Sequence, residues 1–237
     1  MTVHVPFPDL DNFRRRGFVG NPWFAGLPAP IIDTLVKSAR VRTLKADALL
    51  HARGDAPDGC YGVLRGAIRI GATTIDGRRM ALAIMGPGSW FGEISIIDRQ
   101  PRTHDAHACG PTSLYFVPSA TIHDLIDRDP AVLRQFARLV CHRLRTTFVE
   151  LEDQLFAPMS TRLARRLLML AETYGADLEC QIRLPLGQEN IAAMLGVTRQ
   201  SANTILRNFE KKNLVQLGYG WIWLKDIAGL RNVSAAN

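Results

Sequence analysis

Residues 89–106, with the sequence SWFGEISIIDRQPRTHDA, carry side chains that could bind a phosphodiester attached to a ribose. Gly92 and Glu93 stand before a short apolar run, and Arg102 follows that run after a proline. Such a ligand needs a fixed cation and free backbone N–H groups for its phosphate, and a carboxylate for a ribose hydroxyl. The segment therefore predicts a phosphate and ribose site. The alternative is an ion pair between Glu93 and Arg102 in a site that holds no ligand.

A second segment begins at Gln188 and contains the landmarks of a helix-turn-helix. Ala192 is small where two helices must approach closely, Gly196 suits a left-handed turn between them, and Thr198 can cap the next helix. Residues 199–211 contain neither Gly nor Pro, so a second helix can run through them. An arbitrary helical hairpin would explain the apolar positions, but it would not explain these three landmarks together.

The predicted second helix carries polar side chains that can read DNA. Arg199 can bind guanine O6 and N7, whereas Gln200 or Asn203 can pair with adenine N6 and N7. Arg207, Lys211 and Lys212 are suited to contacts with DNA phosphates. The candidate DNA-binding residues are Gln188, Thr198, Arg199, Gln200, Asn203 and Arg207. The alternative, that a residue is simply an exposed helix position, stays open above all for Asn203 and Arg207.

These segments must be positioned by the rest of a 237-residue chain, a length that fits two domains. Between residues 41 and 117, short apolar or alternating runs are separated by turns rich in Gly, Pro and Asp. That pattern predicts an all-β barrel or jelly roll. We divide the chain into an N-terminal arm at 1–27, a β-roll domain at 28–128, a long helix at 129–157 and a helix-turn-helix domain at 158–237.

The long helix is predicted from an amphipathic pattern between Pro130 and Phe156, with an apolar residue about every 3.7 positions. Its apolar stripe consists of Leu133, Phe136, Val140, Leu144, Thr147, Leu151 and Leu155. At 1.5 Å per residue the helix would be about 40 Å long, more than its own domain needs, so we expect a partner helix. A helix that lies only across its own barrel is the alternative. Pro158 ends the helix, and Ser160 is a suitable N-cap for another helix over 161–174.

A β-hairpin wing is predicted after the helix-turn-helix. Two strand-like runs at 213–217 and 221–225 flank a turn that contains Gly218 and Gly220. Trp221 and Trp223 share one face of the second run, and we expect them to seal a small core rather than to stack on bases.

The composition excludes several classes of protein. Hydrophobic residues make up 47% and charged residues 22%, unlike a disordered chain. No apolar run reaches the ~18 residues of a membrane span, and no signal-peptide core is present, which predicts a cytoplasmic protein without a membrane partner. The net charge of +7 favours a polyanionic partner. Cys60, Cys109, Cys141 and Cys180 lack metal-site spacing, so we expect buried free thiols and no metal.

The run FGEISIIDRQPRT is similar to the phosphate-binding cassette of cyclic-nucleotide-binding domains, where Gly-Glu is followed by eight residues and then Arg. With the long helix and the helix-turn-helix, residues 28–230 resemble the CRP/FNR family of bacterial transcription regulators. The resemblance implies an α+β fold with an N-terminal β-roll (jelly-roll) cyclic-nucleotide-binding-like domain, a long dimerisation helix and a C-terminal winged helix-turn-helix. It also implies a homodimer that binds palindromic double-stranded DNA under allosteric control by a cyclic nucleotide and acts with RNA polymerase.

The resemblance assigns a role to individual residues of the cassette. It implies that Glu93 contacts the ribose 2′-hydroxyl, that Arg102 and the backbone around Gly92 hold the cyclic phosphate, and that Thr147 lies against the purine. The implied ligand-binding residues are Gly92, Glu93, Ile94, Ser95, Arg102, Thr103 and Thr147.

Several positions depart from the family pattern. His104 stands where members that bind cyclic AMP usually have a small residue, and Phe148 stands where a second hydroxyl, from the partner chain, often holds adenine. Cyclic AMP is therefore the first effector we expect, with cyclic GMP, cyclic di-GMP or no ligand as alternatives. The family's common Arg-Glu-x-x-x-Arg becomes Arg-Gln-Ser-Ala-Asn-Thr at 199–204, so we expect a changed operator. The cysteine cluster of the oxygen-sensing branch is absent, which argues against an iron–sulfur sensor.

Two other classes of protein are weaker alternatives. A cupin-like metal enzyme would need clustered His and carboxylate ligands, and the strand runs contain no H-x-H pair. A regulatory subunit gated by a cyclic nucleotide would have no use for a helix-turn-helix. We therefore expect a regulator without catalytic residues.

Overall fold

The computed structural model describes residues 18, 21, 23, 24, 26–73, 79–173, 182–184 and 186–235. These residues form a β-roll, one long helix and a winged helix-turn-helix, which confirms the predicted α+β class and architecture. Most of the predicted N-terminal arm lies outside the described residues. Within it, Phe18 and Phe24 are buried, and each ring centroid lies 4.8 Å from that of Trp90.

The β-roll is made of two four-stranded antiparallel sheets. Its elements, with the two helices that follow it, are α1 (Ala29–Ser38), β1 (Arg40–Leu44), β2 (Leu49–His51), β3 (Gly59–Arg65), β4 (Ile68–Thr73), β5 (Arg79–Met85), β6 (Trp90–Phe91), α2 (Glu93–Asp98), β7 (Asp105–Ala108), β8 (Thr112–Pro118), α3 (Ser119–Arg128) and α4 (Pro130–Phe156). The strand orders are β1-β8-β3-β6 in one sheet and β2-β7-β4-β5 in the other. Strand β3 is buried on both faces because Tyr61 points into the roll whereas Cys60 packs with the helices.

The short helix α2 begins directly after Gly92, whose φ of +95° lies in the region that favours glycine. A Cβ atom at this position would come within 2.7 Å of Arg102 Nη1 and 3.0 Å of the Gly59 carbonyl oxygen. Only glycine therefore lets the backbone turn from β6 into α2 this close to Arg102.

Helix α4 covers the predicted range, and its two halves have different surroundings. Asp129 caps its start by accepting a hydrogen bond from the Ala131 N–H at 2.8 Å. In the first half, Val132, Phe136 and Leu139 are buried in the cluster that also contains Phe18 and Trp90. In the second half, the apolar side chains Leu144, Phe148, Val149, Leu151, Leu155 and Phe156 are exposed.

The C-terminal part contains α5 (Met159–Thr173), β9 (Ile182–Leu184), α6 (Gln188–Leu195), α7 (Arg199–Lys211), β10 (Val215–Gly218), β11 (Trp221–Leu224) and α8 (Ile227–Ala235). The predicted helix-turn-helix is confirmed: Gly196 has a φ of +67°, and Thr198 caps α7 by accepting from the Ser201 N–H at 3.1 Å. The prediction of Ser160 as an N-cap is wrong. Helix α5 already includes Ser160, because the Pro158 carbonyl accepts the Arg162 N–H.

The wing forms as an antiparallel hairpin of β10 and β11, and β9 adds a third strand that the sequence analysis did not predict. The expectation that Trp221 and Trp223 seal the core is wrong. Ile222 and Leu224 are the fully buried residues of β11, and the two tryptophans lie half-buried on the other face. Trp221 instead lies under the guanidinium of Arg183, 4.4 Å from the ring centroid.

Two sets of contacts join the C-terminal part to the rest of the structure. Helix α6 packs against β5, and one apolar cluster includes Ala81 and Ile84 of β5 together with Ile191 and Met194 of α6. Helix α5 is tied to α4 by ion pairs, listed here with the α5 residue first: Arg165 with Asp153, and Arg166 with Glu150.

Three free cysteines lie in the described part of the chain. Cys60 is buried and Cys109 is half-buried, but Cys141 is exposed on α4, which contradicts the expectation that the thiols are buried. Cys180 lies outside the described residues. None of the described helices is both long and apolar enough to cross a lipid bilayer.

Candidate ligand cavity and nucleic-acid interface

A cavity of about 620 Å³ lies between the β-roll, α2 and α4. All seven predicted ligand residues line it, namely Gly92, Glu93, Ile94, Ser95, Arg102, Thr103 and Thr147. Part of its wall is apolar and includes Ile70, Leu82 and Leu139. The cavity also extends along α4 to Glu150 and reaches Met169 of α5. One space therefore touches the β-roll, the long helix and the C-terminal part.

Glu93 is buried at the start of α2 and forms a salt bridge with Arg143 of α4, with 2.5 Å between Oε1 and Nε. Arg143 also donates to the Trp90 carbonyl oxygen. Glu93 and Arg102 are therefore not paired with each other, because each has a different ionic partner within the protein. The salt bridge instead connects the cassette directly to the long helix.

Arg102 is also buried, and its side chain is held by groups of the β-roll. Nη2 donates to Asp58 Oδ1 at 2.8 Å and to the Gly59 carbonyl at 2.5 Å, and Nη1 donates to the Gly92 carbonyl at 3.3 Å. The third nitrogen, Nε, is buried without a hydrogen-bond partner. A buried donor without a partner is unfavourable, so an acceptor that reached this atom would stabilise the folded protein.

Asp58 holds Arg102 in position and also forms a salt bridge with the partly exposed Arg42. Its carboxylate accepts the Tyr61 hydroxyl at 2.7 Å and lies 3.2 Å from Nη1 of Arg42. Burial alone would raise the pKa of Asp58, but the Tyr61 hydroxyl and the guanidiniums of Arg102 and Arg42 outweigh burial and lower the pKa. The carboxylate is thus kept ionised, which in turn holds Arg102 in one orientation.

The remaining predicted ligand residues differ in how many of their possible hydrogen bonds they already make. Ser95 Oγ donates to the Pro101 carbonyl at 3.3 Å, and Thr147 Oγ1 donates to the Arg143 carbonyl at 2.9 Å. Each hydroxyl can still accept a hydrogen bond from a ligand. Thr103 is exposed at the rim of the cavity, and its Oγ1 lies 3.0 Å from His104 Nδ1. The pKa of His104 is lowered, first by its partial burial and then by the charge of Arg53.

The predicted DNA-binding residues lie on α6, on α7 and at the turn between the two helices. Arg199 and Gln200 are exposed at the start of α7, and Gln188 begins α6. Arg207 is exposed but pairs with Glu210 at 2.7 Å, and Asn203 is half-buried with its Oδ1 lacking a partner. The hydroxyl oxygen of Thr198 is already used in the helix cap. The start of α7 therefore offers the free side chains that a major groove requires.

Two residues that hold the charged side chains of the cavity, Arg143 and Asp58, were not predicted from the sequence. Arg143 lies one helical turn before Thr147, so the 3.6-residue period could have placed both on the same face of α4. Asp58 lies in a turn between two strands, 44 positions from Arg102, and only the sheet pairing brings the two together. Within the described residues, no three His, Cys, Asp or Glu side chains are grouped closely enough to hold a metal.

Comparison with known proteins identifies both parts of the chain. Residues 41–129 match the family model of the cyclic nucleotide-binding domain, and residues 161–233 match that of the Crp-like helix-turn-helix domain. A CRP-like cAMP-activated global transcriptional regulator from Mycobacterium tuberculosis is 31% identical over 196 residues, which cover 82% of this chain and 88% of the relative.

Solved structures show the same fold. A transcriptional regulator of the CRP/FNR family from Thermus thermophilus matches with a TM-score of 0.67 and 25% identity, over 83% of this chain and 99% of the other. The global regulator CLP from Xanthomonas campestris, which is responsive to c-di-GMP, matches with a TM-score of 0.66 and 20% identity, over 84% of this chain and 100% of the other.

The likeness to relatives extends through both the cavity and the helix-turn-helix, and these relatives are regulators rather than enzymes. This finding contradicts the alternative of a cupin-like metal enzyme. The chain belongs to the CRP/FNR family of DNA-binding transcription regulators, in which a cyclic nucleotide-binding domain precedes a Crp-like helix-turn-helix domain.

Proposed function

We propose that this regulator is a homodimer whose affinity for DNA is controlled by a cyclic nucleotide, with cyclic AMP as the effector. The observation that carries the proposal is the single cavity in which all seven predicted ligand residues meet beside α4. The cAMP-activated relative from Mycobacterium tuberculosis supports the choice of nucleotide.

In the proposed complex, the cyclic phosphate lies against Arg102 and the backbone N–H groups that begin α2. The Nε atom of Arg102, which has no hydrogen-bond partner within the protein, would then donate to an anionic oxygen of the ligand. Glu93 would accept the ribose 2′-hydroxyl and keep its salt bridge to Arg143, because a carboxylate has several lone pairs on two oxygens. The purine would then lie toward Thr147 and the apolar wall of the cavity.

The contacts of α4 give the ligand a route to the DNA-binding domain. Arg143 joins α4 to Glu93 at one end of the route. Glu150 and Asp153 join α4 to the arginines of α5 at the other. A ligand that moves α4 relative to the β-roll would therefore also move α5 and the helix-turn-helix. Because such coupling is reciprocal, bound DNA would raise the affinity for the nucleotide by the same factor.

The exposed half of α4 supports the proposed homodimer. The residues Cys141, Leu144, Phe148, Leu151 and Leu155 are exposed and follow each other at intervals of three and four, the spacing of a coiled-coil seam. A parallel pair of α4 helices would place two α7 helices on one side of the dimer. If they stand about 34 Å apart, they fit successive major grooves of a palindromic operator. The DNA-bound dimer would act on transcription through RNA polymerase.

A charge placed in the seam tests the dimer. Leu151→Lys should raise the dissociation constant of the dimer by at least about 100-fold, because each dimer would lose two leucines that the interface buries. Sedimentation velocity over a range of concentrations measures this constant. Leu49→Lys is the matched control, because Leu49 has the same residue type and nearly the same exposure, 51% against 52%, but lies on β2. A wild-type protein that sediments only as a monomer would overturn the dimer.

Cys141 provides a second test of the proposed pairing of the α4 helices. In a parallel seam the two copies of Cys141 face each other, at a separation that a disulfide can span. Mild oxidation should therefore produce a cross-linked dimer on a non-reducing gel, and Cys141→Ser should prevent it. Cross-linking of the Cys141→Ser variant would show that another cysteine is responsible.

Calorimetric titration with cyclic AMP, cyclic GMP and cyclic di-GMP tests the effector. We expect cyclic AMP to bind and Arg102→Ala to abolish the binding, since the buried guanidinium supplies the cation for the phosphate. A DNA-binding measurement with and without the nucleotide then tests control. Binding of none of the three nucleotides, with DNA affinity unchanged by them, would leave a regulator that works without this effector.

A larger cyclic nucleotide is the second candidate effector. The cavity continues past Thr147 to Glu150 and Met169, so it has room beyond the proposed site of one purine. Phe148 also replaces the second hydroxyl that would hold adenine. Tighter binding of cyclic di-GMP than of cyclic AMP in the same titration would favour this candidate.

A further inference from the structure

His51 is a cavity residue for which neither the fold nor the proposed binding mode has a use. It ends strand β2, and its ring centroid lies 6.0 Å from that of Tyr61 and 6.4 Å from that of Phe91. Both of its ring nitrogens are buried, and neither makes a hydrogen bond of normal geometry, although the backbone carbonyl of His104 is near enough to raise its pKa. An aromatic ring alone would fill this space, so the two polar atoms are a cost that packing does not explain.

The groups around His51 keep it neutral. Burial lowers its pKa to about 4, and the neighbouring guanidinium of Arg102 acts in the same direction. The carboxylates of Asp58 and Asp55 and the carbonyl of His104 act in the opposite direction but are weaker. At pH 7 the ring therefore presents one N–H donor and one free acceptor nitrogen.

Arg102 and His51 share one wall of the cavity. The guanidinium carbon of Arg102 lies 5.6 Å from the centroid of the Tyr61 ring, against which His51 also packs. Each of the two residues has a buried nitrogen without a partner. The charge of Arg102 is already offset in part by Asp58. The two unesterified oxygens of a cyclic phosphodiester share one negative charge, so a single phosphate could accept a hydrogen bond from each of the two residues.

We propose that His51 is a second phosphate-binding residue, which donates a ring N–H to a phosphate oxygen of the nucleotide that Arg102 binds. The proposal rests on the proposed function, because it concerns the same cavity and the same class of ligand. It adds a residue on β2, outside the α2 cassette, to those that hold the phosphate.

A contact between His51 and the phosphate would make nucleotide binding depend on pH. A phosphate placed beside His51 would offset the guanidinium of Arg102 and raise the pKa of the imidazole. A group whose pKa rises on binding takes up a proton, so affinity increases as the pH falls through the range between the bound and free values. Binding should therefore be tighter at pH 5.5 than at pH 7.5 and should be accompanied by proton uptake at pH 5.5.

Two substitutions separate the hydrogen bond from the packing. His51→Phe keeps an aromatic ring against Tyr61 but removes both nitrogens, and should weaken cyclic AMP binding at pH 7.5 about tenfold or more. His51→Gln keeps an uncharged donor and should lose less affinity. Neither variant should take up the proton that the wild type takes up at pH 5.5. Calorimetry in two buffers with different ionisation enthalpies measures both affinity and proton uptake.

The outcomes distinguish this inference from the proposed function. If the wild type binds cyclic AMP and His51→Phe binds it equally well, the role of His51 is wrong and the effector stands. If the wild type binds none of the three nucleotides, both proposals fall. Should His51→Phe not fold, the imidazole resonances of the wild type decide. A His51 resonance that shifts on adding cyclic AMP and titrates at higher pH in the complex supports the contact, and an unchanged resonance overturns it.

Discussion

The charges of the cavity and the charges of the recognition helix α7 are arranged in opposite ways. In the cavity, Arg102 and Glu93 are almost fully buried, and each is paired within the protein. On α7, Arg199 is exposed, and Arg207 is paired only with a neighbour one turn away. A buried charge must have a partner before any ligand arrives, whereas an exposed charge is stabilised by water until DNA replaces it.

This difference determines what a substitution can reveal. Removal of a buried partner disturbs folding and ligand binding together, because the charge left behind remains buried. Removal of an exposed side chain on α7 changes DNA binding with little effect on stability. Stability and binding should therefore be measured together for the cavity, whereas binding alone is informative for α7.

The largest expected effect is on operator recognition. Arg199→Ala should weaken binding to an operator, selected from random duplexes, by about 100-fold or more, because a bidentate contact is worth ~1–3 kcal/mol and a dimer has two. Its affinity for unrelated DNA should change far less. Competition binding at fixed salt gives both numbers, and equal losses on the two DNAs would remove the base-reading role.

An intermediate effect is expected at the cavity. Asp58→Asn should reduce the free energy of unfolding by about 2 kcal/mol, because it leaves the buried Arg102 without its carboxylate, and the exposure of Asp58 keeps the loss below that of a fully buried pair. Urea denaturation measures the change. The exposed Asp127→Asn is the control and should change stability by less than about 0.5 kcal/mol.

The pH dependence of that difference follows from the lowered pKa of Asp58. A carboxylate with a lowered pKa contributes stability above its ordinary pKa and loses it as the pH falls toward the folded value. The gap between wild type and Asp58→Asn should therefore be constant near neutral pH and shrink below about pH 4. A gap that is the same at pH 3 and pH 7 would show that the charge is not what stabilises Arg102.

The smallest effect is expected at the end of α7. Lys212 is exposed just past the helix, where it suits a phosphate rather than a base. Lys212→Ala should weaken binding to operator DNA and to unrelated DNA by the same few-fold factor. It should also reduce the slope of log K against log salt concentration by about one for each subunit. A loss confined to the operator would place Lys212 among the base-reading residues instead.

The sequence predicted the cassette and the helix-turn-helix well because both are local. Gly196 and Thr198 act within one turn, so residue type and spacing are sufficient to place them. The long helix is equally clear, since a 3.6-residue period repeated over seven turns leaves few alternatives.

The partners of the cavity charges could not be predicted in the same way. Asp58 and Arg143 lie 44 and 50 residues from the side chains that they bind, and only strand pairing and helix docking bring them close. The same reason explains the error at Trp221 and Trp223. Either face of the alternating strand β11 could have pointed toward the core. The sheet in which β11 lies, which includes the unpredicted strand β9, determines which face is buried.

The shared apolar cluster of β5 and α6 has a consequence for how the chain unfolds. Ile84 lies in the β-roll, but its buried neighbours include residues whose own helix belongs to the DNA-binding domain. Opening either domain would therefore expose apolar surface on both, so the two should melt as one cooperative unit rather than in sequence. A calorimetric scan should show a single transition. Under that coupling, the thermal stability of the DNA-binding domain reports directly on events inside the β-roll.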